Sequence, residues 1–256
     1  MSILRLENVM RRFGGLVALD SVSLEIKGTG ISAIIGPNGA GKTTLFNIIS
    51  GFNTPTDGRI FFGDHEITGL RPELIAKRGL VRTFQLVQLF ENLTALENVK
   101  IGRHLHTSGG LFNALMPWIA VRQEAAVDRT SHALLAQVGL TSHAETIASA
   151  LPYGQKRLLE IGRALAAEPK LLLLDEPAAG LNRDETHVLA ELLRQIAASG
   201  TAILLIEHDM SLVMNIADHI TVLDFGRVIA DGTPSEVRQN PDVIKAYLGQ
   251  AEAALA

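Results

Sequence analysis

Residues 36–43 read Gly36-Pro37-Asn38-Gly39-Ala40-Gly41-Lys42-Thr43, behind the apolar run Ile31-Ser32-Ala33-Ile34-Ile35 and ahead of a helix-like stretch that opens on Thr44. The run fits G-x-x-x-x-G-K-[ST], a loop that wraps the phosphates of a nucleotide. Its setting constrains the fold, because strand, glycine loop and helix in that order form the first unit of an α/β sheet. The chemistry follows from the residue types. Glycines let the chain curl through positive φ, so that successive backbone N–H groups point inward as a nest for anions. The helix adds its unpaired first-turn N–H groups and the positive end of its dipole. Lys42 supplies a mobile charge for the β and γ phosphates, and the Thr43 hydroxyl a ligand for Mg²⁺. Pro37 fixes one φ and limits the loop's freedom.

A second constellation lies downstream. Leu171-Leu172-Leu173-Leu174-Asp175-Glu176-Pro177 is an apolar strand ending in two acids. A strand buried in a parallel sheet delivers its C-terminal residues to the ligand crevice. Alone, such an end is also what a solvated strand terminus looks like. Beside a phosphate loop, Asp175 is the candidate for the metal and Glu176 for orienting or deprotonating a water. His208 ends the apolar run 202–206 after Glu207. It either reaches the γ-phosphate or serves as a structural residue. The other histidines, at 65, 104, 106, 132, 143, 187 and 219, form no metal-ligand spacing.

The rest of the chain sorts into strand-rich and helix-rich parts. Residues 3–9 and 22–26 alternate with period two, and 59–62 reads as a strand after the turn signal Thr56-Asp57-Gly58. From 94 to 165 apolar residues recur three and four apart, with breaks at Ser108-Gly109-Gly110 and Met116-Pro117. From Lys170 strands at 171–174, 202–206 and 220–224 alternate with helices at 184–198 and 209–217, the pattern of a parallel sheet covered by helices. Phe225-Gly226-Arg227 reads as a hairpin turn into a strand at 228–230, and 241–254 as a terminal helix.

Composition excludes several classes. A net charge of −4 over 256 residues gives no electrostatic case for nucleic acid as a partner. With no cysteine there is no disulfide framework or thiolate metal site, which is compatible with a reducing cytosol. The first residues lack the basic start and apolar stretch of a signal peptide. No window approaches an uncharged membrane span, the richest, 105–121, being broken by His106, glycines, Asn113 and Pro117. Any membrane role is expected to run through a partner.

Taken in order, these motifs resemble those of an ATP-binding subunit of an ABC transporter, from about residue 3 to residue 249. Residues 36–43 match Walker A, and 171–175 match Walker B with Glu176 as the catalytic glutamate. Gln85, in Arg82-Thr83-Phe84-Gln85, matches the glutamine loop, a Mg²⁺ ligand and sensor of the membrane partner. Ala179-Gly180-Leu181-Asn182 matches the D-loop and His208 the switch histidine. Phe13 falls where the family stacks an aromatic ring on adenine.

Leu151-Pro152-Tyr153-Gly154-Gln155 stands where the family writes Leu-Ser-Gly-Gly-Gln to cap the ATP of the opposite subunit. Pro152 has neither the serine hydroxyl nor an N–H, so the capping role falls to Gly154 and Gln155. The resemblance therefore implies a catalytic set of Glu176, His208 and Gln85 and a metal set of Thr43, Gln85 and Asp175. Nucleotide contacts fall on Phe13, residues 36–43, Thr44, Gly154 and Gln155. ATP and Mg²⁺ are the ligands.

The implied fold is α/β: a RecA-like P-loop NTPase core with an antiparallel β subdomain and an inserted α-helical subdomain. Residues 1–85 plus 165–256 form the core and β subdomain, and 86–164 the helical subdomain. Residues 175–182, 206–210 and 240–249, with the insertion at 102–121, resemble the longer ATP-binding subunit of branched-chain amino-acid importers. That implies ATP hydrolysis at the cytoplasmic face of the inner membrane by a peripheral protein. The implied partners are transmembrane permease subunits and a second ATP-binding subunit in a homo- or heterodimer across ATP, with a solute-binding protein acting indirectly. The alternatives are the ATPase of a lipid or polysaccharide exporter and a non-transport ABC ATPase.

Overall fold

The structure, a computed structural model, describes residues 2–83, 85–103 and 117–253, and only the backbone of 117–123 and 248–253. Phe84, the glycine break at 108–110, Met116, most of the insertion at 102–121, His104, His106 and Ala254 lie outside the described residues.

The chain opens with β1 (Ser2–Phe13) and β2 (Leu16–Lys27), then β3 (Ile31–Ile35) and α1 (Lys42–Ile49). Next come β4 (Asp57–Phe62), β5 (His65–Glu66), α2 (Pro72–Ala76) and β6 (Leu80–Arg82). Helices α3 (Ala95–Gly102), α4 (Pro117–Gln137) and α5 (Tyr153–Leu165) follow. Then β7 (Leu171–Asp175), α6 (Arg183–Ala198), β8 (Ala202–Ile206), α7 (Met210–Ile216) and β9 (His219–Asp224) alternate. The chain closes with β10 (Arg227–Gly232), α8 (Pro234–Gln239) and α9 (Pro241–Ala253).

Two compact units result. One comprises Met1–Arg82, Lys170–Ala179 and Leu193–Ala256, the other Thr83–Pro169 and Gly180–Leu192. The second unit thus takes in residues 83–85, 165–169 and 180–192, which the sequence reading groups with the core.

The first unit holds both sheets. A four-stranded antiparallel sheet runs β2-β1-β4-β5, and a six-stranded sheet runs β10-β9-β3-β8-β7-β6. Within the larger sheet all pairs are parallel except β9–β10 at the edge. Its inner strands β3, β7 and β8 are buried along their whole length, as a sheet covered on both faces requires.

The β1–β2 hairpin is longer than the alternation at 3–9 and 22–26 predicts. Gly14 at φ +58 and Gly15 make the tight turn, and register shifts between Leu6 and Val9 and between Val9 and Arg11 interrupt the period-two pattern. The β9–β10 turn is Phe225 and Gly226, both at positive φ (+42 and +76). That is the turn geometry whose twist matches paired antiparallel strands.

Between the sheets α1 buries Leu45, Phe46, Ile48 and Ile49 in one core with Leu4, Ile60 and Leu204. Fully burying each such side chain contributes about 1.5–3 kcal/mol.

The second unit is helical. Its α3 starts on a capping box, Thr94 accepting from the Glu97 N–H while Glu97 reaches back to the Thr94 N–H. Asn182 and Glu185 exchange the same pair of bonds at the start of α6, at 3.0 and 2.9 Å. Among the described residues no helix is long and apolar enough to cross a membrane.

Candidate active site

Strand register brings the motifs to one edge of the larger sheet. Ile34 on β3 and Asp175 on β7 both pair with Ile206 on β8. The chain therefore leaves all three strands at one level: into the glycine loop after β3, into Glu176 after β7 and into Glu207-His208 after β8. This is the crevice beyond the carboxyl ends of a parallel sheet where ligands sit.

The loop adopts the curled path its glycines permit. Gly39 sits at φ +80 and Gly41 at φ +103, and a Cβ on Gly41 would lie 2.6 Å from the Ala18 carbonyl oxygen. Gly41 caps α1 without a side-chain hydrogen bond, and the first helical N–H bond runs from Leu45 to the Gly41 carbonyl at 2.9 Å. The first-turn N–H groups before Leu45, on Lys42, Thr43 and Thr44, thus have no partner within the helix, which is what an anion site needs. Ala40 donates its N–H to the Pro37 carbonyl at 3.2 Å. The Lys42 ammonium is buried and donates to the carbonyls of Gly36 and Pro37 at 2.7 and 2.9 Å. Burial lowers its pKa, and the nearby Glu176 carboxylate raises it in part. Lys42 and Glu176 therefore sit within electrostatic reach of each other.

Asp175 is buried and ion-paired with Arg82, Nη2 to Oδ2 at 2.7 Å. Arg82 also donates to Asn47 Oδ1 and Ser50 Oγ on and just after α1, at 2.7 and 2.9 Å. One guanidinium thus joins the Walker B acid to the helix behind the phosphate loop. In the sequence Arg82 stands out only as a member of the glutamine-loop string.

Glu176 adopts φ +46, a costly backbone for a non-glycine residue, and its N–H donates to the Ile206 carbonyl at 3.0 Å. Its Oε2 lies 3.7 Å from His208 Nδ1. Glu207, which sequence reasoning also passed over, is 1% exposed and acts as the brace. It accepts from the N–H groups of Ala178 at 2.8 Å, His208 at 3.1 Å and Asp209 at 3.4 Å. Burial pushes its carboxyl pKa up while those N–H groups pull it down. The signal available beforehand was a charged residue closing an otherwise apolar buried strand.

Phe13 ends β1, 43% exposed, with the Arg11 guanidinium 4.4 Å over its ring. Tyr247 on α9 contacts the Gly36 backbone. Burial pushes its phenol from 10.0 up to about 12, and that backbone contact works in the opposite direction. The folded chain therefore keeps this proton where the unfolded chain has lost it. Its stabilising contribution is intact below about pH 10 and gone above about pH 12. Tyr247→Phe is expected to remove that component from the fall in urea stability across this interval, and an identical slope in both proteins would contradict it.

The second unit carries the remaining residues. Gln85 is exposed, and its carbonyl accepts from Arg157 at 2.7 Å. Pro152 caps α5 and makes no side-chain bond to the first-turn N–H groups of the helix. The Gln155 amide turns toward His143, 3.4 Å away. A Cβ on Gly154 would lie 2.4 Å from Glu185 Oε1, so a larger residue there would push that carboxylate aside. The unusual Tyr153 packs on Gly180, where a Cβ would come 3.1 Å from its ring. In this unit the signature and the D-loop residues 180–182 are therefore built against each other.

The donor set suits a hard cation. Thr43 offers a hydroxyl and Asp175 one carboxylate, and no cluster of three or more His, Cys, Asp or Glu occurs among the described residues. A hydroxyl and a carboxylate are oxygen donors of the kind Mg²⁺ takes alongside waters and substrate phosphate oxygens.

The chain is similar to known ATP-binding cassettes. Residues 19–179 match the family described as ABC transporter, and residues 227–253 the family described as branched-chain amino acid ATP-binding cassette transporter. The chain is 48% identical to the high-affinity branched-chain amino acid transport ATP-binding protein LivG of Escherichia coli K12, covering 97% of this chain and 98% of that one. It is 46% identical to BraF of Pseudomonas aeruginosa over the same shares. A crystal structure of the ADP conformation of an ATP-binding cassette of an ABC transporter superposes with a TM-score of 0.84 at 37% identity, covering 97% of this chain and 99% of that one. A nucleotide-free cassette superposes with a TM-score of 0.83 at 36% identity, covering 96% and 99%.

Proposed function

The chain belongs to the ABC transporter family and is one of its ATPases, and we propose that it energises an importer of branched-chain amino acids from the cytoplasmic face of the membrane. Its partners in this reading are transmembrane permease subunits and a second ATP-binding subunit across the nucleotide. A solute-binding protein acts at one remove. The observation that carries the transport reading is the match of residues 227–253 to a family of branched-chain amino-acid transporters, beyond the catalytic motifs that all ABC ATPases share.

In this reading the roles are those the motifs imply. Lys42, already poised on the loop carbonyls, would turn its ammonium to the β and γ phosphates, with the first-turn N–H groups of α1 as the rest of the cradle. Phe13 offers a ring face to the adenine, which binds without a base-edge code. Thr43 and Asp175 would hold Mg²⁺, whose charge offsets that of the β and γ phosphates, and the family resemblance alone adds Gln85 to them. Glu176 would take the proton of the attacking water, and His208, 3.7 Å from it, would hold the closed state by its contact with the γ-phosphate. The N-terminus of α5, at Gly154 and Gln155, would face the ATP of the opposing subunit with backbone N–H groups and helix dipole. ATP and ADP differ in affinity for the closed pair, and that difference is the energy source.

The test is to purify the chain from membranes with whatever accompanies it, reconstitute the assembly and measure ATPase activity with leucine, isoleucine or valine. Two transmembrane subunits, a second ATPase and amino-acid stimulation are expected. Stimulation by a lipid or polysaccharide instead, or recovery without any membrane subunit, would overturn the reading.

A further inference from the structure

Arg157 and Glu160 sit one turn apart on α5, just past the signature, with side chains 1% exposed. They form an ion pair, Nη1 to Oε2 at 2.8 Å. Their other atoms reach the glutamine loop. Arg157 Nη2 donates to the Gln85 carbonyl at 2.7 Å, and Glu160 Oε1 accepts from the Gln88 N–H at 3.3 Å. The pair therefore grips the loop backbone on both sides of Leu86 and Val87.

The rest of the loop is held in the same way. Arg163, also on α5, lies 5.8 Å over the Phe90 ring. Asn98 of α3, fully buried, accepts from the Phe90 N–H at 2.9 Å and donates to the Phe90 and Thr94 carbonyls at 3.1 and 3.0 Å. Meanwhile Leu86 and Phe90 of the loop stay 78% and 49% exposed.

A buried ion pair is a poor device for stability, because apolar residues of similar volume usually fill the same space at no loss. Apolar residues cannot hold a carbonyl and an N–H of a neighbouring loop. We infer that Arg157 and Glu160 are positioning residues that tie the glutamine loop to the signature helix, so that a displacement imposed on Leu86 or Gln85 is delivered to Gly154. The transport half of this inference rests on the proposed function. The mechanical half does not.

The test is the double variant Arg157→Met with Glu160→Leu, since removing one partner alone leaves a buried charge unpaired. In the full chain it is expected to keep its thermal midpoint and ATP affinity, while amide exchange rises both at residues 85–88 and at 153–156. In the reconstituted complex the stimulation of ATPase activity by leucine is expected to fall by roughly 3- to 30-fold, the range for residues that carry coupling without touching either ligand. Wild-type stimulation in the variant overturns the inference and leaves the pair as packing. If wild-type complex itself shows no leucine stimulation, the importer reading fails. The exchange data then decide the tie on their own: a rise in both segments supports it, and a rise in one alone overturns it.

Discussion

Replacement of Glu176 by glutamine is expected to lower ATP turnover in the assembled transporter by about 10²-fold or more, the range for lost general-base help, while ATP affinity stays near wild type. The structure explains why the effect falls on chemistry. Glutamine has the shape of glutamate and can keep the φ of +46 and the N–H bond to the Ile206 carbonyl that place the side chain. It cannot accept a proton from water. The brace from Glu207 to Ala178, His208 and Asp209 is untouched, so the D-loop entry and the switch histidine stay where they are. Single-turnover hydrolysis together with nucleotide titration separates the two quantities. Near-normal turnover with intact affinity would remove Glu176 from the role of base.

Replacement of Lys42 by alanine should act on binding itself, weakening ATP by roughly 10- to 150-fold, which corresponds to the loss of about one charge-assisted hydrogen bond. The Lys42 ammonium is buried against two carbonyls with a pKa lowered by that burial. Phosphate oxygens arriving beside it would restore a full counter-charge. Alanine also takes the ammonium away from the Gly36 and Pro37 carbonyls, so some loosening of the loop is expected in addition. Equilibrium titration of the full chain with ATP measures the change, and an unaltered dissociation constant would dismiss the phosphate role.

Much of this site is legible in the residues because its parts are local. A glycine loop between strand and helix has its anion chemistry built into the backbone it must adopt, and an apolar run ending in acids presents those acids wherever the sheet ends. The alternation at 3–9 and 22–26 likewise predicts strands, though bulges and the Gly14-Gly15 turn extend them further than the pattern does. What stays hidden are the residues that act at long range. Arg82 reaches Asp175 across 93 positions of sequence, and Glu207 reaches Ala178 across 29. Arg157 and Glu160 read as an ordinary helix pair until the loop at 85–88 lies against them.

By itself the sequence determined that the chain binds a nucleoside triphosphate on an α/β sheet, because loop, strand and helix signals are encoded by neighbouring residues. Only the tertiary structure decided how the pieces are held. The shared register on Ile206, the buried Arg82–Asp175 pair, the Glu207 brace and the grip of α5 on the glutamine loop all join residues far apart in the chain. The register rests on backbone pairing between strands and the other three on desolvated charges meeting in three dimensions, and no periodicity or spacing in the sequence records either.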